Sequence, residues 1–239
     1  MTDLRFWFDP VCPFAWLTSR WVEEVARQRE YSVEWRFISL RLLNAHVDYA
    51  AHFPPEYEAG HTAGLRLLRV AARVRDEHGD DGVGRFYAAV GTGIHDAEPV
   101  GATPGHDRRG TREFLAPVLA DLGFAPDLAD ALDDDALDAR IRTETDEALA
   151  LAGKDVGTPI LQFLPPDGLA FFGPVISRLP APEDAVALWD HVVGLASFPG
   201  FTELKRSLRE RPQLRSYGVE PGEVGETEDW HGGSRRQKR

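Results

Sequence analysis

Phe8-Asp9-Pro10-Val11-Cys12-Pro13-Phe14-Ala15-Trp16 is the stretch on which the fold turns. Just before it, Leu4-Arg5-Phe6-Trp7-Phe8 is short, aromatic and stopped by Asp9-Pro10, the pattern of a buried strand. Just after it, Trp16, Leu17, Trp21, Val22 and Val25 recur at helical spacing, which predicts a helix from Pro13 to about Gln28. Proline suits the first helical position because no amide hydrogen bond is needed there. Cys12 then falls at the N-cap, beside first-turn amides without partners and at the positive end of the helix dipole. Both effects favour a thiolate and predict a lowered thiol pKa. Cys12 is the only cysteine, so an intrachain disulfide is excluded and the available chemistry is that of one thiol.

Working outward, residues 32–40 (SVEWRFISL) read as a second strand with Val33, Trp35 and Phe37 on one face. Strand, helix and strand in so short a span predict a βαβ unit with parallel strands. Residues 44–153 then carry helical signals only. Helices are predicted over Thr62–His78, Gly82–Ile94, Thr111–Leu122, Pro126–Leu132 and Ala136–Leu151, with stops at Gly79, Gly123 and Gly153. Residues 97–110 read as a Gly/Pro-rich loop. Strands return at Ile160–Leu164 and Leu169–Phe172, joined by Pro165-Pro166-Asp167-Gly168 as a hairpin turn. Pro182 to about Leu195 reads as a closing helix and Glu203–Glu210 as a further short one. Residues 218–239 are polar, glycine-rich and expected to be disordered.

The order β-α-β, helical block, β-β-α is that of an α/β thioredoxin-like fold with an inserted all-helical subdomain. The boundaries expected are 1–43 and 154–210 for the thioredoxin-like part and 44–153 for the insertion. Thr158-Pro159 precedes a strand at the place where such folds hold a cis-proline against the active-site sulfur, which makes cis the expected isomer. The backbone of Thr158 is then available to a bound thiol or peptide.

The net charge of −12 argues against general nucleic-acid affinity and against docking on an anionic membrane. The N-terminus has no secretory pattern, and no apolar run reaches membrane-spanning length. With a single cysteine, a cytoplasmic location is expected. His46, His52 and His61 lack metal-ligand spacing, so no metal site is expected. No nucleotide or flavin fingerprint occurs.

Residues 6–21 (FWFDPVCPFAWLTSRW), 153–160 (GKDVGTPI), 171–178 (FFGPVISR), 188–190 (LWD) and 198–206 (FPGFTELKR) resemble DsbA-like thioredoxin-fold proteins, and within them the mycothiol-dependent nitroreductases. With matching order the resemblance spans about residues 4–210. It implies a fold that is often dimeric, takes reducing equivalents from mycothiol, and reduces nitro compounds or mixed disulfides, with no tightly bound cofactor. By position Cys12 corresponds to the nucleophile and Pro159 to the cis-proline. Pro13, Phe14, Ala15, Trp16, Thr158 and Pro159 are the expected substrate-facing residues, with His95, after a Gly-rich stretch, reaching the cleft from the helical side. Ala15 stands where members with a redox pair carry a second cysteine, which leaves a monothiol route. Kappa-class glutathione transferases and hydroxychromene-carboxylate isomerases share this architecture with serine at the Cys12 position, so a thiol-dependent isomerase or transferase is the second reading. A non-catalytic binding protein is the third.

Overall fold

The computed structural model of the chain describes residues 2–52, 55–98, 107–153, 156–206 and 208–229. Strand β1 (Leu4–Phe8) lies inside a four-stranded sheet of order β2-β1-β3-β4, with β2 at Val33–Phe37, β3 at Ile160–Phe163 and β4 at Ala170–Phe172. β1 pairs with β2 in parallel, Leu4 opposite Val33 and Phe8 opposite Phe37. It pairs antiparallel with β3, Leu4 opposite Phe163, and β3 pairs antiparallel with β4. The two-residue period of β1 sends Phe6 and Phe8 into one core and Trp7 into the other. Both faces of the sheet are therefore buried, which explains the aromatic run that marks this strand.

Helix α1 (Pro13–Gln28) packs Trp16, Leu17, Trp21, Val22 and Val25 into the larger core. Leu40, expected at the end of the second strand, instead opens the short helix α2 (Leu40–Leu43). The Ser39 hydroxyl caps it by accepting the Leu42 N–H at 3.4 Å, which releases the chain from the sheet. After α3 (Tyr49–His52), the two separately predicted helices lie in one element, α4 (Pro55–His95), broken at Gly79. Gly79 has φ 69°, a conformation that costs glycine nothing and side chains much. α5 (Arg112–Leu122) is capped by Thr111 and ends on left-handed Gly123. A 3₁₀ segment covers Pro126–Asp133, and α6 starts at Asp138, after a separate 3₁₀ turn, and runs to Ala152. α7 (Pro182–Ala196) packs on α1, and the Trp21 indole donates to Ala185 O at 2.9 Å.

Two expectations for the C-terminal part are overturned. Residues 208–210 are not helical but form β5 (Leu208–Glu210), antiparallel to β6 (Thr227–Asp229). The supposedly disordered tail thus supplies a partner strand, and Val219 is buried. A pairing partner so far along the chain overrides local helix propensity. Residues 230–239 and 99–106 of the loop lie outside the described residues. Among the described residues, no helix is long and apolar enough to cross a membrane.

Candidate active site around Cys12

The site is built from backbone outward. Asp9 follows the last residue of β1, and its carboxyl group turns back into the protein. It accepts the Val11 N–H at 3.1 Å and the Leu40 N–H at 2.8 Å. Asp9 O accepts the Cys12 N–H at 3.0 Å, which closes the strand-to-helix turn. Cys12 is the N-cap of α1, Pro13 occupies the first helical position, and the Ala15 N–H points at Cys12 Sγ from 3.5 Å. The thiol donates to Thr158 O at 3.4 Å. The Thr158–Pro159 bond is cis, the Thr158 hydroxyl donates to Trp7 O at 3.4 Å, and Pro159 O accepts the Gly173 N–H at 2.9 Å. Cys12 and Thr158, far apart in the chain, thus meet at the sulfur.

One expectation about this sulfur is corrected. Cys12 is 6% exposed, and burial pushes its thiol up to about 12 instead of lowering it. The Ala15 and Phe14 amides at the helix start act in the lowering direction, as read from the sequence, while the negative charge of Asp9 acts with burial. Desolvation of a thiolate outweighs two amide dipoles at this depth. The resting sulfur is therefore a protonated donor to Thr158 O.

His95 ends α4 and is 2% exposed. Its Nε2–H donates to Pro10 O at 3.0 Å, and its ring stacks on Trp16 at 5.7 Å and 21°. Burial holds its pKa down at about 3 against the help of that bond. The ring braces the turn from below. Burial likewise raises Asp9 to about 7, against the two amides and the charge of Arg109. Trp16 is buried, with its indole N–H on Asp96 Oδ1 at 3.2 Å and the Arg20 guanidinium 4.6 Å from its ring centroid. A Cβ at Gly91 would collide with the Trp16 ring, so α4 closes onto α1 only because this position is glycine. Pro13 and Phe14 remain half-buried, while Ala15, Thr158 and Pro159 are buried. Asp96, Gly91 and Arg109 carry no signal in the sequence pattern, because their place beside the turn comes from the packing of α4. Among the described residues, no group of His, Cys, Asp and Glu is arranged to hold a metal ion.

A four-stranded sheet in this order, a thiol at the start of the first helix and a Thr–cis-Pro loop against it define a DsbA-like thioredoxin-fold protein. A 2-hydroxychromene-2-carboxylate isomerase structure superposes with a TM-score of 0.51 at 15% identity, covering 80% of this chain and 95% of the other. A putative protein-disulfide isomerase from Pseudomonas syringae gives 0.50 at 17% identity, covering 80% and 92%. At these identities the likeness is one of fold. The sequence comparison is narrower. Residues 11–206 match the Rv2466c-like family, described as mycothiol-dependent nitroreductase Rv2466c, and the chain belongs to that family. A Mycobacterium tuberculosis relative, "Uncharacterized protein Rv2286c", is 34% identical over 207 residues, 86% of this chain and 82% of the relative.

Proposed function

We propose that the chain is a thiol-dependent oxidoreductase that works through one sulfur, Cys12, with mycothiol or a similar small thiol as cosubstrate. The observation that carries this reading is the 3.4 Å contact of Cys12 Sγ with Thr158 O, beside Pro159 and opposite the Ala15 amide. A sulfur entering here finds Cys12 on one side and an extended backbone on the other. Residues 1–43 and 154–210 supply these groups and 44–153 the helical cover. Pro13, Phe14 and Ala15 form the approach, Trp16 its wall, and His95 acts through Pro10 without touching substrate.

For a mixed disulfide the steps balance with one protein thiol. Cys12, once deprotonated, attacks one sulfur of R–S–S–R′, forming Cys12–S–S–R, and R′–S⁻ leaves and takes up a proton. The cosubstrate thiolate then attacks the R sulfur, releasing M–S–S–R and the Cys12 thiolate, which is reprotonated. For a nitro compound Cys12 and one cosubstrate thiol supply two electrons and two protons as one N–O bond breaks, giving nitroso compound, water and a Cys12–cosubstrate mixed disulfide, and a second cosubstrate thiolate then attacks the cosubstrate sulfur to release disulfide and the Cys12 thiolate, which is reprotonated. Ala15 leaves no internal thiol to compete with the cosubstrate. A reducing cytoplasm suits this cycle, and a homodimer accords with it.

The raised Cys12 pKa favours a second role. A thiol that stays protonated can hydrogen-bond a bound cosubstrate thiolate, as a serine hydroxyl would, and so support isomerase or transferase chemistry. A Cys12→Ser variant separates the two. The mixed-disulfide route predicts loss of thiol-dependent nitro and disulfide reduction by at least about a hundredfold, since no covalent sulfur intermediate can form. Turnover retained within about threefold in Cys12→Ser overturns that route in favour of the donor role. No turnover by the unaltered protein with any small thiol, and no thiol adduct on Cys12 by intact mass, would leave a binding protein.

A further inference from the structure

Arg142, Thr145, Asp146 and Leu149 recur at i, i+3, i+4 and i+7 of α6 and form one stripe along it. The stripe faces Leu42 and Leu43 at the end of α2, and His46 in the turn that follows, across a cavity of about 320 Å³. Pockets for small organic molecules begin at this size. The other faces of α6 are used elsewhere, Ile141 and Ala148 in the two cores and Glu144 in an ion pair with Arg75. Leu42, Leu43 and Leu149 are half-buried and give the cavity an apolar wall. Thr145 is 2% exposed and its Oγ1 accepts the Ser39 N–H at 3.2 Å. Among the described residues its own hydroxyl proton has no acceptor. A buried O–H in that state costs free energy that a bound oxygen atom recovers.

The charges at the rim of the cavity are unpaired as well. Arg142 and Asp146 stand one helical turn apart, a spacing at which opposite charges ordinarily meet. Among the described residues neither side chain has an ion pair or a hydrogen bond, and His46 has none either. Arg140 of the same helix, by contrast, pairs with Asp76, and Arg36 and Arg75 both pair with Glu144. Carboxylates are abundant in a chain of net charge −12, so an arginine left without one beside an apolar wall keeps its donors for a ligand. Donors outnumber acceptors here. A guanidinium presents a planar fork that matches a carboxylate, the Thr145 hydroxyl adds a proton and the His46 ring at least one N–H, against the single carboxylate of Asp146. We infer that the cavity between α2 and α6 binds a small organic carboxylate with an apolar body, the carboxylate on Arg142 and Thr145 and the body on Leu42, Leu43 and Leu149. None of these side chains holds the Cys12 turn, so the site is independent of the thiol chemistry.

Equilibrium dialysis of the full chain against 4-phenylbutyrate tests this, with acetate as the probe that lacks the apolar body and 4-phenylbutylamine as the probe of opposite charge. Saturable binding of one phenylbutyrate per chain is expected, at least about tenfold tighter than either control. Arg142→Gln should weaken it at least about tenfold, by loss of the charged fork. Leu149→Ala should weaken it about threefold or more, by loss of apolar contact. Asp146→Asn should tighten it about two- to threefold, because a like charge is removed. Arg142 and Asp146 are exposed and unpaired, so both variants should unfold at the temperature of the unaltered protein, which separates lost binding from lost folding. No saturable binding up to about 10 mM phenylbutyrate, or binding by Arg142→Gln within about twofold of the unaltered protein, overturns the site. Weaker binding by Asp146→Asn overturns the assignment of an anion.

Discussion

Two regions of this protein bury polar side chains and do so by opposite means. In the seam where β2, α4 and α6 meet, charge is paired with charge. Glu144 accepts from Arg75 at 2.5 Å and from the Phe37 N–H at 2.8 Å, while Arg75 also donates to Trp35 O at 2.6 Å. Arg36 adds contacts to Glu144, Glu34 and Glu147. Around the turn that follows β1, by contrast, the buried titratable groups Asp9, Cys12 and His95 bond to backbone, and burial pushes them toward their neutral forms. Paired ions lock one element to another. Backbone-bonded groups of this kind hold their protons within the turn. The seam ties α4 and α6 to β2, and the turn holds the candidate site.

The sharpest way to break this contrast is to remove one partner from the seam. Glu144→Ala leaves Arg75, 3.9 Å from the Phe37 ring centroid, with Asp80 at 3.3 Å and Trp35 O, and leaves the Phe37 N–H without its acceptor. A loss of about 3 kcal/mol in denaturant unfolding is expected, from a broken buried ion pair and an unsatisfied amide. Gly91→Ala comes next. Its Cβ meets the Trp16 ring, so the α4–α1 contact must shift, at about 1–3 kcal/mol. The indole near-UV signal should change with it.

The effect that is smallest at any one pH step is also the most specific to the turn. Asp9, raised from 3.8 to about 7, contributes stability that is complete below pH 4 and is lost as pH rises toward 7. His95, lowered from 6.5 to about 3, contributes stability that is complete above 6.5 and is lost as pH falls toward 3. Between pH 4 and 6.5 the two slopes oppose each other, so stability of the unaltered protein should vary little there. Asp9→Asn should uncover the His95 slope, with stability falling as pH drops by up to about 1.4 kcal/mol per pH unit. His95→Gln should uncover the reverse slope, with stability rising as pH drops. Unfolding curves at three pH values decide; parallel behaviour of both variants would show that the turn does not hold its protons as described.

The local patterns of the chain determine a good deal. The apolar spacing of Trp16 to Val25, Pro13 at the helix start and the Leu4–Phe8 run mark α1 and β1 at their observed ends, because strand period, helix period and proline geometry act over a few residues. They place Cys12 at an N-cap and Ala15 three residues on, and with one cysteine in the sequence an intrachain disulfide is excluded. The long-range facts were decided only by the tertiary structure. Thr158 reaches Cys12 across 146 residues, α4 covers the turn through Gly91 and His95, and residues 208–210 and 227–229 pair as strands with the 215–217 turn set on α4. The depth of the sulfur follows from these contacts, and with it the direction of its pKa. A short sequence window fixes dihedral angles and caps, whereas desolvation is set by whichever distant segments exclude water from the site.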